Sequence, residues 1–382
     1  MIIILICYRN SESQREKYDW NDKVRYVSVW KLRGGSKLVT DKNSLLLARL
    51  NDPRIEAHVT TDPEPYFRHI DQSAAIGALF LKGLFAENKK GSIQERIAAE
   101  IEVIKNGRKE RTSAGVFLVL ESIKNIPTPD FKIRRDTSEF AVCFDAVDKD
   151  EIRESFRPTL DALLVALTLN LPSNADQLVE KTGEVIYLVD PAKETPVYSY
   201  TAKFGPARLS LAAQMTEDMI TNAAKLVPTI TGDKSIARTV SLLISSLNRG
   251  TDGLQTFVAA WTALEIFVNA TFKARYEAEW FGIMKTGAPA AALPVFERLK
   301  NVMSDKYRLS DKFLIIASVL DDVGAPADAI KFGELKEIRD KLLHALETPQ
   351  NLPTDAVQSM LVKYLKLHCT RTNGRPISTP ST

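Results

Sequence analysis

The most informative segment of the sequence, Glu334 to Leu346, reads Glu-Leu-Lys-Glu-Ile-Arg-Asp-Lys-Leu-Leu-His-Ala-Leu. At about 100° per residue, its apolar side chains share one side of an α-helix; they are Leu335, Ile338, Leu342, Ala345 and Leu346. Arg339 lies at the flank of this apolar side, and Asp340 and His344 lie nearly opposite it. The spacing predicts a helix that packs its apolar side into a core and presents Asp340 and His344.

Segments around this helix repeat the helical period and are separated by short turns containing Gly, Pro or Asp. One apolar stripe consists of Ile236, Val240, Leu243 and Leu247, and a second helix runs from Leu254 to Phe272. Further helices are predicted near 291–304, 310–320, 328–346 and 354–369. Such a series predicts an all-α helical bundle over residues 232–370. The tail 371–382, rich in Thr, Ser and Pro, is expected to be disordered.

Residues 1–210 mix strand and helix patterns and predict an α+β domain. Strands are predicted at Met1–Cys7, Val24–Trp30 and Glu139–Val147, and helices at Asp71–Ala86 and Asp150–Leu171. Glu184–Val189 and Val197–Phe204 flank a Pro-containing connection and predict a hairpin. Because strand patterns end after Phe204, the boundary between the two domains is placed between residues 204 and 232.

Composition narrows the class of protein. The net charge of +3 is too small to indicate a nucleic-acid partner by itself. Basic clusters at 105–111 and 132–135 could contact phosphates, although a solvated surface is the simpler interpretation. Cys7, Cys143 and Cys369 have no metal-ligand spacing, which is typical of reduced thiols. With no apolar run long enough to span a bilayer, we expect a cytoplasmic protein without a membrane partner.

Familiar cofactor and metal motifs do not occur in the sequence. It contains no phosphate-binding Gly-rich loop and no G-x-S-x-G turn. The four histidines, at positions 58, 69, 344 and 368, have no H-x-x-x-H spacing. Asp321 and Asp322 precede a Gly-Ala-Pro turn, where acidic residues are common for conformational reasons. The sequence therefore predicts neither a cofactor nor a metal.

Arg339 and His344 together suit metal-independent cleavage of a phosphodiester. An imidazole transfers protons near neutral pH, and a guanidinium stabilises a phosphorane. Asp340 could orient His344 or neutralise Arg339. The alternative is that these residues form an ordinary solvated helix face, with His344 favoured by the helix dipole.

Glu265, on the predicted helix from Leu254 to Phe272, also indicates a partner for Arg339. On a helical projection of Leu254–Phe272 it falls inside an apolar arc, between Val258 and Leu254. A carboxylate there needs a partner, and Arg339 is the first candidate. The alternatives are that Glu265 caps another helix or pairs with a different base.

Two motifs in this order resemble the HEPN superfamily, particularly its Apea-like branch. They are Trp261-Thr-Ala-Leu-Glu265 and, about 75 residues later, Ile338-Arg339-Asp340-Lys-Leu-Leu-His344. The resemblance covers residues 232–370 and differs at Ala345, where Apea-like members often carry Gly. It implies a helical domain in which the arginine and histidine act as metal-independent ribonuclease residues.

The resemblance also implies two functional hypotheses. The first is an RNA endonuclease of a toxin or antiphage defence system, with Arg339, His344, Asp340 and Glu265 at its active site. It would form a homodimer through the motif helix, which is the helix that carries Arg339 and His344. Its N-terminal domain would sense a trigger or position RNA and could bind a regulatory protein or ligand. The second is a non-enzymatic module for dimerisation or ligand binding, because many HEPN domains are not catalytic.

Overall fold

The computed structural model describes residues 23–32, 37–51, 54–81, 91–112, 115–125, 149–171, 179–189, 194–201, 214–247, 253–303, 306–344 and 352–373. By its internal contacts the chain divides into two compact units. The first is formed by residues 1–157 and 174–221, and the second by residues 158–173 and 222–382. The strands predicted at 1–7 and 139–147 and the basic cluster at 132–135 lie outside the described residues.

The first unit contains strands and helices in mixed order. The strands are β1 (Lys23–Leu32), β2 (Lys37–Val39), β3 (Ser44–Asn51), β4 (Arg54–Thr60), β5 (Val116–Asn125), β6 (Val179–Val189), β7 (Glu194–Thr201) and β8 (Gln214–Thr216). The helices are α1 (Glu64–Leu81), α2 (Ile93–Thr112) and α3 (Lys149–Thr168), whose last residues belong to the second unit. The α+β character expected of this region is therefore present.

A six-stranded antiparallel sheet, in the order β3-β4-β5-β1-β6-β7, forms the centre of the first unit. The predicted hairpin is confirmed, since β6 and β7 pair from Gly183 opposite Thr201 to Val189 opposite Glu194. A separate parallel pair joins β2 to β8.

The two faces of this sheet are covered by different helices. On one face the side chains of a buried cluster pack together: Val27, Val29, Phe67 of α1, Phe117, Val119 and Val185. On the other face Tyr26 stacks on Phe156 of α3, with ring centroids 5.0 Å apart. Burying such side chains stabilises the fold by about 1.5–3 kcal/mol each, which explains why β1 alternates between two apolar surfaces.

The second unit is helical. It contains α4 (Glu217–Gly232), which begins in the first unit, α5 (Ala237–Leu247), α6 (Gly253–Thr271), α7 (Glu277–Thr286), α8 (Leu293–Met303), α9 (Leu309–Leu320), α10 (Ala325–His344) and α11 (Thr354–Asn373). A π-helical turn, Phe272–Tyr276, joins α6 to α7, and a 3₁₀ turn, Ala290–Ala292, precedes α8. Among the described residues from 232 to 373 there is no strand, as the sequence predicted. The expectation that strands end after Phe204 is wrong, because β8 lies at Gln214–Thr216.

Aromatic side chains from several helices meet in the core of the second unit. Phe313 of α9 stacks on Phe332 of α10, with centroids 4.2 Å apart, and also meets the edge of Tyr364 of α11. Phe332 packs in turn against Trp261 of α6 at 5.5 Å. These contacts fix α10 against α6 and α9, and they thereby place the motif helix.

The structure corrects two details of the bundle. On α10, Phe332 and Leu335 are buried, but Ile338 and Leu342 are only partly so, because the buried face is concentrated in the first half of the helix. The predicted disordered tail is wrong for residues 371–373, which belong to α11. Thr372 is buried and accepts a hydrogen bond from Arg275 at 2.7 Å, so the last turn of α11 has packing partners.

Candidate functional site

A hydrogen-bonded ion pair joins the two helices that carry the predicted site residues. Arg339 Nη2 of α10 donates to Glu265 Oε2 of α6 over 2.9 Å. This contact was predicted and is confirmed. Glu265 does not lie inside the buried side of α6, as the projection had predicted. That side includes Phe257, Leu264 and Phe267, whereas the Glu265 side chain is 39% exposed. Because α6 is apolar around most of its circumference, a projection could not identify its core side.

Trp261 completes the contact between these helices. Its Nε1 donates to the same oxygen, Glu265 Oε2, over 3.0 Å. The guanidinium carbon of Arg339 lies 5.1 Å from the centroid of the indole ring, in cation–π range. Trp261 itself is buried in the core. The indole therefore positions both the carboxylate and the guanidinium.

Asp340 binds the second terminal nitrogen of the Arg339 guanidinium. Its Oδ1 accepts from Arg339 Nη1 over 2.8 Å, and its Oδ2 accepts from Lys336 Nζ over 2.6 Å. Of the two roles considered for Asp340, neutralising the arginine is the one that these contacts support. Lys336 was not among the predicted site residues, although its spacing of four from Asp340 is a known signal for a helix ion pair.

His344 is the last residue of α10, five positions after Arg339 and four after Asp340. Its side chain lies outside the described residues, as do Ala345 and Leu346. The cooperation of His344 with Arg339 therefore stays a prediction.

The charged side chains of the site are partly accessible to solvent, and so to a ligand. The Arg339 side chain is 19% exposed, and those of Lys336 and Asp340 are 35% and 34% exposed. Arg339 Nε is buried and has no hydrogen-bond partner. A guanidinium has five N–H donors, so Arg339 keeps donors beyond the two that its carboxylate partners accept.

A second histidine is part of a buried chain of hydrogen bonds. His368 Nδ1 lies 2.7 Å from the Tyr276 hydroxyl, and His368 Nε2 lies 2.9 Å from Asp233 Oδ2. Burial would raise the pKa of Asp233, but hydrogen bonds from His368 and Ser235 outweigh it and lower that pKa to about 2. Burial raises the pKa of Tyr276. Since His368 is only 2% exposed, this chain is a structural connection between α11, the π turn and the α4–α5 turn.

A buried carboxylate in the first unit is also paired. Glu184 of β6 accepts from the Tyr26 hydroxyl over 2.5 Å, and its other oxygen lies 3.0 Å from Arg153 Nε. Burial and the adjacent Glu184 charge raise the pKa of Tyr26. These groups neutralise one another beneath α3.

In the part of the chain that the structure describes, no group of three His, Cys, Asp or Glu side chains could hold a metal ion. Asp321, considered above as a turn residue, pairs with Lys363 at 2.7 Å. None of the helices in the described ranges is long and apolar enough to cross a membrane.

Comparison with known proteins gives no family assignment. No family model matches the chain, and neither a curated protein nor a solved structure matches it significantly. The function of the chain is therefore inferred from its own residues and contacts.

Proposed function

We propose that the chain is a metal-independent RNA endonuclease of the HEPN type. The observation that carries this proposal is the Glu265–Arg339 pair, which joins the W-x-A-L-E helix to the R-D-x-x-x-H helix. Two motifs about 75 residues apart are thus in contact through the residues that define their resemblance to the family. Trp261 takes part in the same contact, which adds a third motif residue.

The proposed reaction uses the RNA's own 2′-hydroxyl as nucleophile. His344 accepts the proton of the 2′-hydroxyl, and the 2′-oxygen forms a bond to phosphorus. Arg339 stabilises the charge on the pentacoordinate phosphorane. The bond from phosphorus to the 5′-oxygen then breaks, and an acid protonates the leaving oxygen. The products carry a 2′,3′-cyclic phosphate and a 5′-hydroxyl.

A homodimer formed through α10 would supply the second proton-transfer group that this reaction needs. One protomer contributes one arginine and one histidine, whereas the reaction needs both a base and an acid. In the proposal, the second protomer's His344 is the acid. The biological setting proposed for such an enzyme is a cytoplasmic toxin or antiphage effector, with the first unit as its sensor or RNA-positioning part.

One observation favours the alternative of a non-enzymatic module. Both terminal nitrogens of Arg339 donate to carboxylates, so the guanidinium already makes strong contacts within the chain. An arginine with that role alone would hold α6 against α10 and bind no substrate. The two functions differ in whether RNA is cut.

The test is incubation of the purified protein with mixed RNA, with and without a chelator. The proposal predicts cleavage that a chelator leaves unchanged and that produces cyclic or 3′-phosphate ends. RNA with a single 2′-deoxy residue at the cut site resists cleavage there, because it lacks the nucleophile. Cleavage that disappears with chelator, or that continues at the 2′-deoxy position, rejects this mechanism, and no cleavage at all favours the interaction module.

A further inference from the structure

The two carboxylates that contact Arg339 are held in different ways. Glu265 comes from another helix and is fixed by the Trp261 indole, which donates to the oxygen that also binds Arg339. Asp340 is the next residue on the same helix, and a second cation, Lys336, lies one turn earlier. Glu265 therefore determines where the guanidinium lies, while Asp340 covers its other terminal nitrogen.

The Asp340 carboxylate bridges two cations. Its Oδ1 is 2.8 Å from Arg339 Nη1, and its Oδ2 is 2.6 Å from Lys336 Nζ. The two non-bridging oxygens of a phosphodiester are separated by nearly the same distance as the oxygens of a carboxylate. Proteins use guanidinium and ammonium groups as hydrogen-bond donors to phosphate. Arg339 and Lys336 are placed so that both can donate to one phosphate group.

We propose that Lys336 and Arg339 form a binding site for a backbone phosphate of single-stranded RNA, and that Asp340 occupies this site until the phosphate displaces it. The identity of the ligand as RNA rests on the proposed function; the anion site rests on the contacts of Asp340. Lys336 is thereby assigned to phosphate binding.

The charges explain why Asp340 weakens the site without abolishing it. Lys336, Arg339, Glu265 and Asp340 carry two positive and two negative charges, so an arriving phosphate meets a neutral cluster. The Asp340 side chain is 34% exposed and can turn to water, where solvation replaces its contacts with the two cations. The remaining cluster then has a net positive charge, and Glu265 still positions Arg339.

Binding of an uncleavable RNA tests the site separately from catalysis. The probe is a fluorescein-labelled single-stranded oligonucleotide of 2′-O-methyl RNA, which has no free 2′-hydroxyl. Asp340→Asn keeps the size of the side chain but removes its charge, so we expect about fivefold tighter binding. Lys336→Gln should weaken binding about fivefold and reduce the slope of log affinity against log salt by about 0.7.

The matched control is Lys331→Gln. Lys331 is on the same helix, 53% exposed, and pairs with Glu334 instead of Asp340. Its loss should change affinity less than twofold and leave the salt slope unchanged. Circular dichroism confirms that each variant keeps its helical content.

The outcomes separate this site from the nuclease activity. If folded Asp340→Asn binds the probe no more tightly than the parent, or if Lys336→Gln and Lys331→Gln behave alike, the site is overturned. A parent protein that does not bind the probe also overturns it. If the binding changes occur as expected but the parent leaves native RNA uncut, the anion site stands and the nuclease proposal fails.

Discussion

Arg339 Nη2 lies 2.9 Å from Glu265 Oε2, and this single hydrogen bond connects α10 to α6 at the half-exposed edge of the helical core. Its geometry has consequences for both stability and activity, because the same guanidinium is proposed to bind phosphate.

Replacing Glu265 by Gln should destabilise the helical unit. The variant keeps the shape of the side chain but replaces the ion pair with a hydrogen bond from the guanidinium to a neutral amide oxygen. The loss is small because the site is partly solvated. We expect a loss of about 1 kcal/mol, measured as a lower urea midpoint in unfolding followed by tryptophan fluorescence. Glu334→Gln is the control, since Glu334 is 59% exposed and pairs with Lys331 at 3.5 Å. Equal midpoints for the two variants would contradict a special role for Glu265.

Replacing His344 by Ala should abolish RNA cleavage while the protein stays folded. Removal of a general acid or base commonly costs about 10²–10⁴ in rate, and Arg339→Ala should have a loss of similar size. The measurement is the initial rate of cleavage on one RNA substrate. His58→Ala, in β4 of the first unit, should retain the parental rate. Parental activity in His344→Ala would exclude α10 as the active site.

The protein should be a homodimer in which the C-terminal halves of two α10 helices face each other. Light scattering at micromolar concentration should therefore give twice the monomer mass. Lys341→Cys places a thiol on the exposed side of α10 and should form a disulfide-linked dimer on mild oxidation. Lys234→Cys, on the exposed α4–α5 turn, should not do so. A monomeric mass, or crosslinking only through residue 234, would reject this interface.

The stability of the helical unit should fall in acid because of Asp233. Its pKa is about 2 in the folded chain against an ordinary value of 3.8, so the unfolded state binds the proton more readily. The contribution is complete above pH 3.8 and is lost as the pH falls toward about 2; its size is about 2 kcal/mol. Asp233→Asn should be less stable at neutral pH and show a shallower acid decline than the parent. Asp322→Asn, at an exposed turn position, should keep the parental decline.

Contacts in the site were predictable where helical periodicity indicates them, and not where they depend on how separate segments pack. The Glu265–Arg339 contact was predicted because a helical projection placed Glu265 inside an apolar arc, where a carboxylate needs a partner, and Arg339 at the flank of another apolar stripe. The pairs Trp261–Glu265 and Lys336–Asp340 are each separated by four residues, so helical spacing alone could have indicated them. By contrast, His368 is 135 residues from Asp233 and 92 from Tyr276. That contact depends on how three segments pack, which periodicity does not determine.

The same distinction applies to the fold. The positions of α5, α6, α8, α9, α10 and α11 were predicted within a few residues because apolar periodicity and turn residues are local signals. Neither α4 nor α7 was predicted. The order of strands in the sheet was not predicted: β1 pairs with β5 and β6, which are distant in sequence. Strand order depends on long-range pairing, and each of these strands has an apolar face that could match several partners.

The π turn between α6 and α7 affects how related sequences should be aligned with this one. In a regular α-helix, Phe272 and Phe281, nine positions apart, would point about 180° from each other, yet both are buried. The wider turn at Phe272–Tyr276 reduces that angle, and it places Tyr276 within reach of His368. A homologue with one residue fewer in this segment should have a continuous helix and a rotated α7. It should therefore have lost the tyrosine–histidine contact, and a gap at this point of an alignment would mark the change.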